Sequence, residues 1–235
     1  MILAWLGLAQ AAPRVSIDAT AEAGVYRYAQ DPGAQTGPLY PRRISFGWTD
    51  DASGTRGLGV HARGWLAPRL GVDARVSSGR YGIYVGDDQD TPRYQSLTIV
   101  RGGLLLGRST QVGRWTVAPA VQLGAGASNV TIYGTDDAHP EGREVWTVGP
   151  AVGGELTVGW GRVSLRAESA LTCVALAPSG VEAGLGLDVQ IWQGLTAVAR
   201  GSWMGRQYAL ESGGAAAGAL SDQLTLSSLG IGYKF

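Results

Sequence analysis

The chain has 235 residues, with nineteen Lys plus Arg against nineteen Asp plus Glu. That length suits one domain or a small pair, and the balance lacks the basic field a nucleic-acid binder needs, so that partner class is excluded. Thirty-seven glycines beside eight tryptophans and only two phenylalanines and two methionines argue against a helical core, because Gly is costly inside helices but tolerated in sheets at bulges and close approaches.

Ile2 to Ala9 is a short apolar run, and Ala9-Gln10-Ala11 has the small-x-small form of a cleavage site. Residues 1–11 are therefore expected to be a signal peptide and 12–235 a single domain, although no Lys or Arg precedes the run. No later segment reaches the roughly 18 consecutive apolar residues of a spanning helix. A membrane crossing would have to be made by a closed sheet, the only other structure that satisfies its own backbone in lipid.

Period-two alternation recurs along the rest of the chain. Arg14 to Tyr28 sets Val15, Ile17, Ala19, Ala21 and Ala23 against Ser16, Asp18, Thr20 and Glu22. Residues 29–56 read as a long outer loop around a short Ile44, Phe46, Trp48 alternation. Leu58 to Leu66 alternates with His61, Arg63 and Trp65, and Ala67-Pro68-Arg69 turns the chain into Leu70 to Val76. Tyr94 to Gly107 is apolar on both faces in places, which leaves its register open. Trp115 to Tyr133 follows, then the cleanest strand, with Trp146, Val148, Pro150, Val152, Gly154, Leu156, Val158 and Trp160 on one face. Gly161-Arg162, Ala177 to Gly180 and Trp192-Gln193-Gly194 separate three further strands, and a Gly- and Ala-rich loop is expected over 204–222. The last stretch puts Leu229, Ile231, Tyr233 and Phe235 opposite Ser228, Gly230, Gly232 and Lys234.

This final pattern, with Gly at 230 and 232 and aromatics at 233 and 235, resembles the C-terminal insertion signal of bacterial outer-membrane β-barrels. The resemblance implies handling by the barrel-assembly machinery during biogenesis, an integral place in the outer membrane, and contact with its lipid and lipopolysaccharide. The chain pattern agrees with an all-β fold, a transmembrane antiparallel up-and-down β-barrel of about ten strands with both termini periplasmic. Eight strands is an alternative, as is twelve if residues 41–56 form a spanning hairpin. Aromatics bracket the strands as two girdles. Trp65, Trp115, Trp160, Trp192, Tyr233 and Phe235 fall near short turns, and Tyr26, Tyr84, Tyr94, Tyr133, Trp146 and Trp203 near long loops.

The opposite faces carry Asp18, Glu22, Arg63, Asp73, Arg75, Arg101, Glu155, Arg166, Glu168, Glu182, Asp188 and Arg200, with His61 and Gln122. Charges removed from water must pair, so these are expected to form a network across a narrow lumen. Barrels near this size fill with side chains, whereas open porins use sixteen strands or more.

A non-enzymatic structural, adhesive or accessory membrane component is expected, porin-like at most in forming a small pore, with outer loops that can meet a protein partner. The enzymatic alternative is Asp88-Gln89-Asp90 on one outer loop with Asp137-Ala138-His139 on another, which resembles omptins, ten-stranded outer-membrane proteases with catalytic groups at the extracellular rim. Two distant histidines and one cysteine, Cys173, supply no metal site and no disulfide. No cofactor is expected. Cys173 shares its face with Leu165 and Leu171 and is expected to be lipid-facing and inert.

Overall fold

The computed structural model describes residues 15–32, 43–44, 56–83, 93–132, 143–174, 177–212 and 215–235. Among these, β1 (Val15–Pro32), β2 (Arg43–Ile44), β3 (Arg56–Ala67), β4 (Leu70–Ile83), β5 (Arg93–Gly107) and β6 (Thr110–Val112) come first. They are followed by β7 (Trp115–Ile132), β8 (Arg143–Trp160), β9 (Val163–Val174), β10 (Ala177–Gln190), β11 (Leu195–Ser212) and β12 (Ala215–Lys234).

Ten of these strands form a closed antiparallel ring in the order β1, β3, β4, β5, β7, β8, β9, β10, β11, β12. The ring closes where β12 pairs with β1, from Ser16↔Lys234 to Pro32↔Gly218. Closure gives every ring strand a hydrogen-bonded neighbour on both sides among the described residues, the condition a sheet must meet in hydrocarbon. Neighbours in the chain are neighbours in the ring, so the barrel is an up-and-down meander. Gly161 (φ 57°) and Gly194 (φ 75°) take the left-handed backbone that two of the tight turns require.

The ladder counts the strands. Direct pairing of β1 with β3, from Val15↔Gly64 to Ala23↔Arg56, leaves no place between them for a spanning hairpin, so the twelve-strand alternative is wrong, as is eight. Arg43–Ile44 instead pairs with Tyr28 and Ala29, farther along β1 than the β3 ladder reaches. The remaining short strand, β6, lies along the start of β7 at the short-turn end.

The expected loop over 204–222 is also corrected. β11 runs on to Ser212 and β12 begins at Ala215, paired from Leu195↔Tyr233 to Ser212↔Ala215. Positions 213–219 are an unbroken run of Ala and Gly, so the sequence offers no contrast from which alternation can be read.

Burial is inverted relative to a water-soluble protein. Leu58, Leu185 and Leu229 are each 71% exposed, while Asp18, Arg101 and Asp73 are 6–7% exposed. Apolar residues at alternate positions face outwards on every ring strand with described side chains, and the intervening polar residues face inwards. On β8 the outward row runs from Trp146 to Trp160, both about half exposed. Fourteen residue steps at ~3.4 Å and a tilt of ~45° span roughly 34 Å along a membrane normal. That places the two rings between the hydrocarbon thickness of ~30 Å and the ~40–45 Å of a whole bilayer.

Candidate functional site

The polar faces of the strands converge on the barrel interior, and the residues there are joined by ion pairs rather than by strand neighbours alone. Arg63 on β3 donates through Nη1 to Glu155 Oε1 on β8 at 2.6 Å. Thr157 donates to the same oxygen at 3.0 Å. Arg101 on β5 donates to Glu182 Oε2 on β10 at 2.6 Å, and its Nη2 lies 3.7 Å from Glu168. Arg75 on β4 reaches Glu168 at 3.4 Å and Glu182 at 3.6 Å.

Position in the ring gives these distances their meaning. β3 and β8, β4 and β9, and β5 and β10 are each four strands apart in a ring of ten, and β4 and β10 are diametrically opposed. The side chains therefore meet across the interior from facing walls.

A second cluster lies on the β1 side. His61 Nε2 lies 2.6 Å from Asp73 Oδ2, and its Nδ1 lies 3.4 Å from Asp18 Oδ2. Arg200 donates to Asp18 Oδ2 at 2.7 Å, and Gln122 donates to Asp73 Oδ1 at 3.2 Å. Glu22 accepts from the Ser77 hydroxyl. Asp188 is shared more loosely by Arg166, at 3.9 Å, and Lys234, at 3.8 Å. All twelve charged residues expected to line the interior thus lie within it, each with a polar partner. A gap of about 10 Å³ among His61, Asp73, Arg101, Arg166 and Arg200 is at the threshold for one water. It adjoins the buried Nε atoms of Arg101 and Arg166, which have no hydrogen-bond partner.

Several interior residues lie outside the set expected from the sequence. Arg206, within the expected 204–222 loop, is buried and donates to the Ser128 hydroxyl on β7, four strands away. Its even-numbered spacing from Arg200 and Ser202 was the available clue. Leu97, Leu105, Val198, Leu224 and Leu226 are buried on inward faces. Among the described residues the interior is therefore not uniformly polar.

Asn129 fills a break in the wall. The β5–β7 ladder ends at Ile99↔Ser128, although both strands continue. Beyond that point the Asn129 side chain accepts from Thr98 N at 2.5 Å and donates to Ser96 O and Glu144 Oε1, both at 3.1 Å. One side-chain amide thus stands in for the missing backbone pair. A cavity of about 40 Å³ lies beside this seam, lined by Ile99, Ser128, Glu182, Met204 and Arg206 among others.

The aromatics are placed as follows. Trp115, Trp146, Trp160, Trp192, Tyr233 and Phe235 are exposed on the outside. Trp115 and Trp160 stack at 5.7 Å, and Tyr233 meets Phe235 edge-on at 4.8 Å. Trp65 departs from the expected girdle. It shares the inward parity of His61 and Arg63, and the Arg63 guanidinium lies over its ring at 5.3 Å. Trp203 is outward, but it sits near the middle of β11 because that strand is longer than expected. Asp88, Asp90, Asp137 and His139, the alternative catalytic residues, lie outside the described residues. Their loops join β4 to β5 and β7 to β8, so the β5–β7 pairing makes the two hairpins ring neighbours.

An all-β chain closed as a ten-stranded antiparallel ring, apolar outside and ion-paired inside, has the fold of the small bacterial outer-membrane β-barrels. No family model matches the chain, and no curated protein matches it. Solved structures that resemble it include the outer membrane protease OmpT from Escherichia coli, at 7% identity, with 98% of this chain and 99% of that one covered and a TM-score of 0.49. The translocator domain of the autotransporter NalP from Neisseria meningitidis matches at 16% identity, over 100% and 92%, with a TM-score of 0.41. The attachment invasion locus protein Ail of Yersinia pestis matches at 13% identity, over 95% and 99%, with a TM-score of 0.38. The register of the strands and the inverted burial define the fold independently of these likenesses.

Proposed function

We propose that this protein is a non-enzymatic structural, adhesive or accessory component of the bacterial outer membrane, with a narrow lumen braced shut by its own charges. The observation that carries this reading is the set of ion pairs between facing walls, Arg63–Glu155, Arg75–Glu182 and Arg101–Glu182. Where side chains from opposite strands touch at 2.6–3.6 Å, no solute file fits between them. Both termini face the periplasm in this reading, and the short turns lie on the same side. The long loops then face outwards, beside lipopolysaccharide, where a protein partner can reach them. The barrel-assembly machinery inserts the chain.

Single-channel recording in a planar bilayer tests the reading. A closed baseline, or steps far below those of an open porin, is expected. Sustained porin-sized conductance overturns it. Peptide hydrolysis abolished by both Asp137→Asn and His139→Ala would replace it with an omptin-like protease.

A further inference from the structure

The turns at the short end carry charge of one sign. The β3–β4 turn holds Arg69, the segment from the end of β5 to β7 holds Arg108 and Arg114, and the β8–β9 turn holds Arg162. Neither these turns nor the Ile191-to-Gly194 turn contains Asp or Glu.

The four arginines lie on one arc of the rim. Gly107 N donates to Arg69 O at 3.1 Å, Arg108 N donates to Pro119 O at 3.2 Å, and Trp115 pairs with Trp160 beside the Gly161-Arg162 turn. Arg108, Arg114 and Arg162 are exposed and make no ion pair among the described residues. This contrasts with the interior, where Arg63, Arg75, Arg101, Arg166 and Arg200 are each matched to a carboxylate. The stacked, outward Trp115 and Trp160 mark the same arc as headgroup depth, because aromatic rings collect at the membrane interface.

We propose that this arc is a binding surface for anionic phospholipid headgroups in the leaflet around the short turns. The inference rests on the membrane-spanning reading. The chemistry is phosphate recognition by guanidinium: planar, permanently charged donors beside rings that hold the acyl region. The β6–β7 hairpin, turned by Gly113 (φ 61°), lifts Arg114 to the tip, while Arg108 stays at its base. Phosphates at two depths are therefore within reach. A basic residue near a membrane surface strengthens attachment to anionic lipid about fivefold, so the three together act on the order of a hundredfold.

The test is native mass spectrometry of the whole barrel released from nanodiscs of mixed phosphatidylcholine and phosphatidylglycerol. The unaltered protein should retain phosphatidylglycerol in preference. The variant R108Q/R114Q/R162Q should lose most of that preference, more than tenfold, whereas R56Q/R80Q, at the opposite end of the barrel, should keep it. No preference in the unaltered protein, survival of the preference in the triple variant, or equal loss in R56Q/R80Q overturns the proposal. If the triple variant does not fold, the unaltered protein decides the matter through salt: the preference must fall as ionic strength rises, and constancy refutes it. Failure to enter nanodiscs at all would instead refute the membrane-spanning reading.

Discussion

Removing Arg101 tests whether the cross-wall pairs carry load. Its guanidinium and the Glu182 carboxylate have side chains only 8% and 12% exposed and meet at 2.6 Å. Arg101→Met deletes the cation but leaves Glu182 and Glu168 largely buried, with Arg75 as their shared neighbour. Breaking a buried pair from one side costs about 3–5 kcal/mol, because an uncompensated charge remains. Replacing both partners, Arg101→Met with Glu182→Met, removes that charge and should cost less than the sum of the single changes by about 0.5–3 kcal/mol. Arg75 retains Glu168 at 3.4 Å in the double variant, so no cation is stranded. Urea unfolding in lipid bilayers, followed by tryptophan fluorescence, measures all three. Single costs below about 1 kcal/mol, the range of exposed pairs, or strict additivity, would refute the view that these residues are coupled across a closed interior.

Other consequences follow from the wall itself. Leu171→Arg places a cation on the outward face at the level of Val152, midway between Trp146 and Trp160, and should cost about 2–4 kcal/mol in bilayers by the same unfolding assay. Asn129→Ala leaves Thr98 N and Ser96 O without their side-chain partners. It should cost about 1–3 kcal/mol and speed amide exchange at Thr98 ahead of the rest of β5. Gly103 and Gly124 face each other across the β5–β7 ladder, and a Cβ on Gly103 would sit 2.8 Å from the Gly124 Cα. Gly103→Val should therefore part these strands and cost about 1–3 kcal/mol or more, seen as loss of the heat-modifiable band on a denaturing gel.

The barrel was legible in the sequence because hydrocarbon outside and charge inside impose the same period of two on strand after strand. β8 shows it from Trp146 to Trp160, and β9 does so from Val163 to Cys173. The pattern weakened where physics relaxes it. The Tyr94-to-Gly107 register stayed open because Leu97 and Leu105 face inwards among residues that are apolar on both sides. The long β11–β12 hairpin was missed because Ala and Gly look alike on either face. Trp65 followed its parity, not its type, once Arg63 offered a cation for its ring.

Partner choice within the interior was beyond reach for a different reason. Arg63 and Glu155 are 92 residues apart, and only ring closure with its fixed register brings them together. Asn129 was invisible because its role depends on where one ladder stops, a property of two strands and not of one.

One inversion underlies the whole barrel, with acyl chains against the alternate apolar residues and the ion-paired network behind them. Nitroxide labels placed singly at 169, 170, 171 and 172 in a Cys173→Ser background, and at Cys173 itself, test it by electron paramagnetic resonance in bilayers. Labels at 169, 171 and 173 should collide readily with oxygen and poorly with a water-soluble nickel chelate, while those at 170 and 172 should be shielded from both. Nickel access at the odd positions, or no alternation at all, would contradict the barrel as a membrane-spanning one.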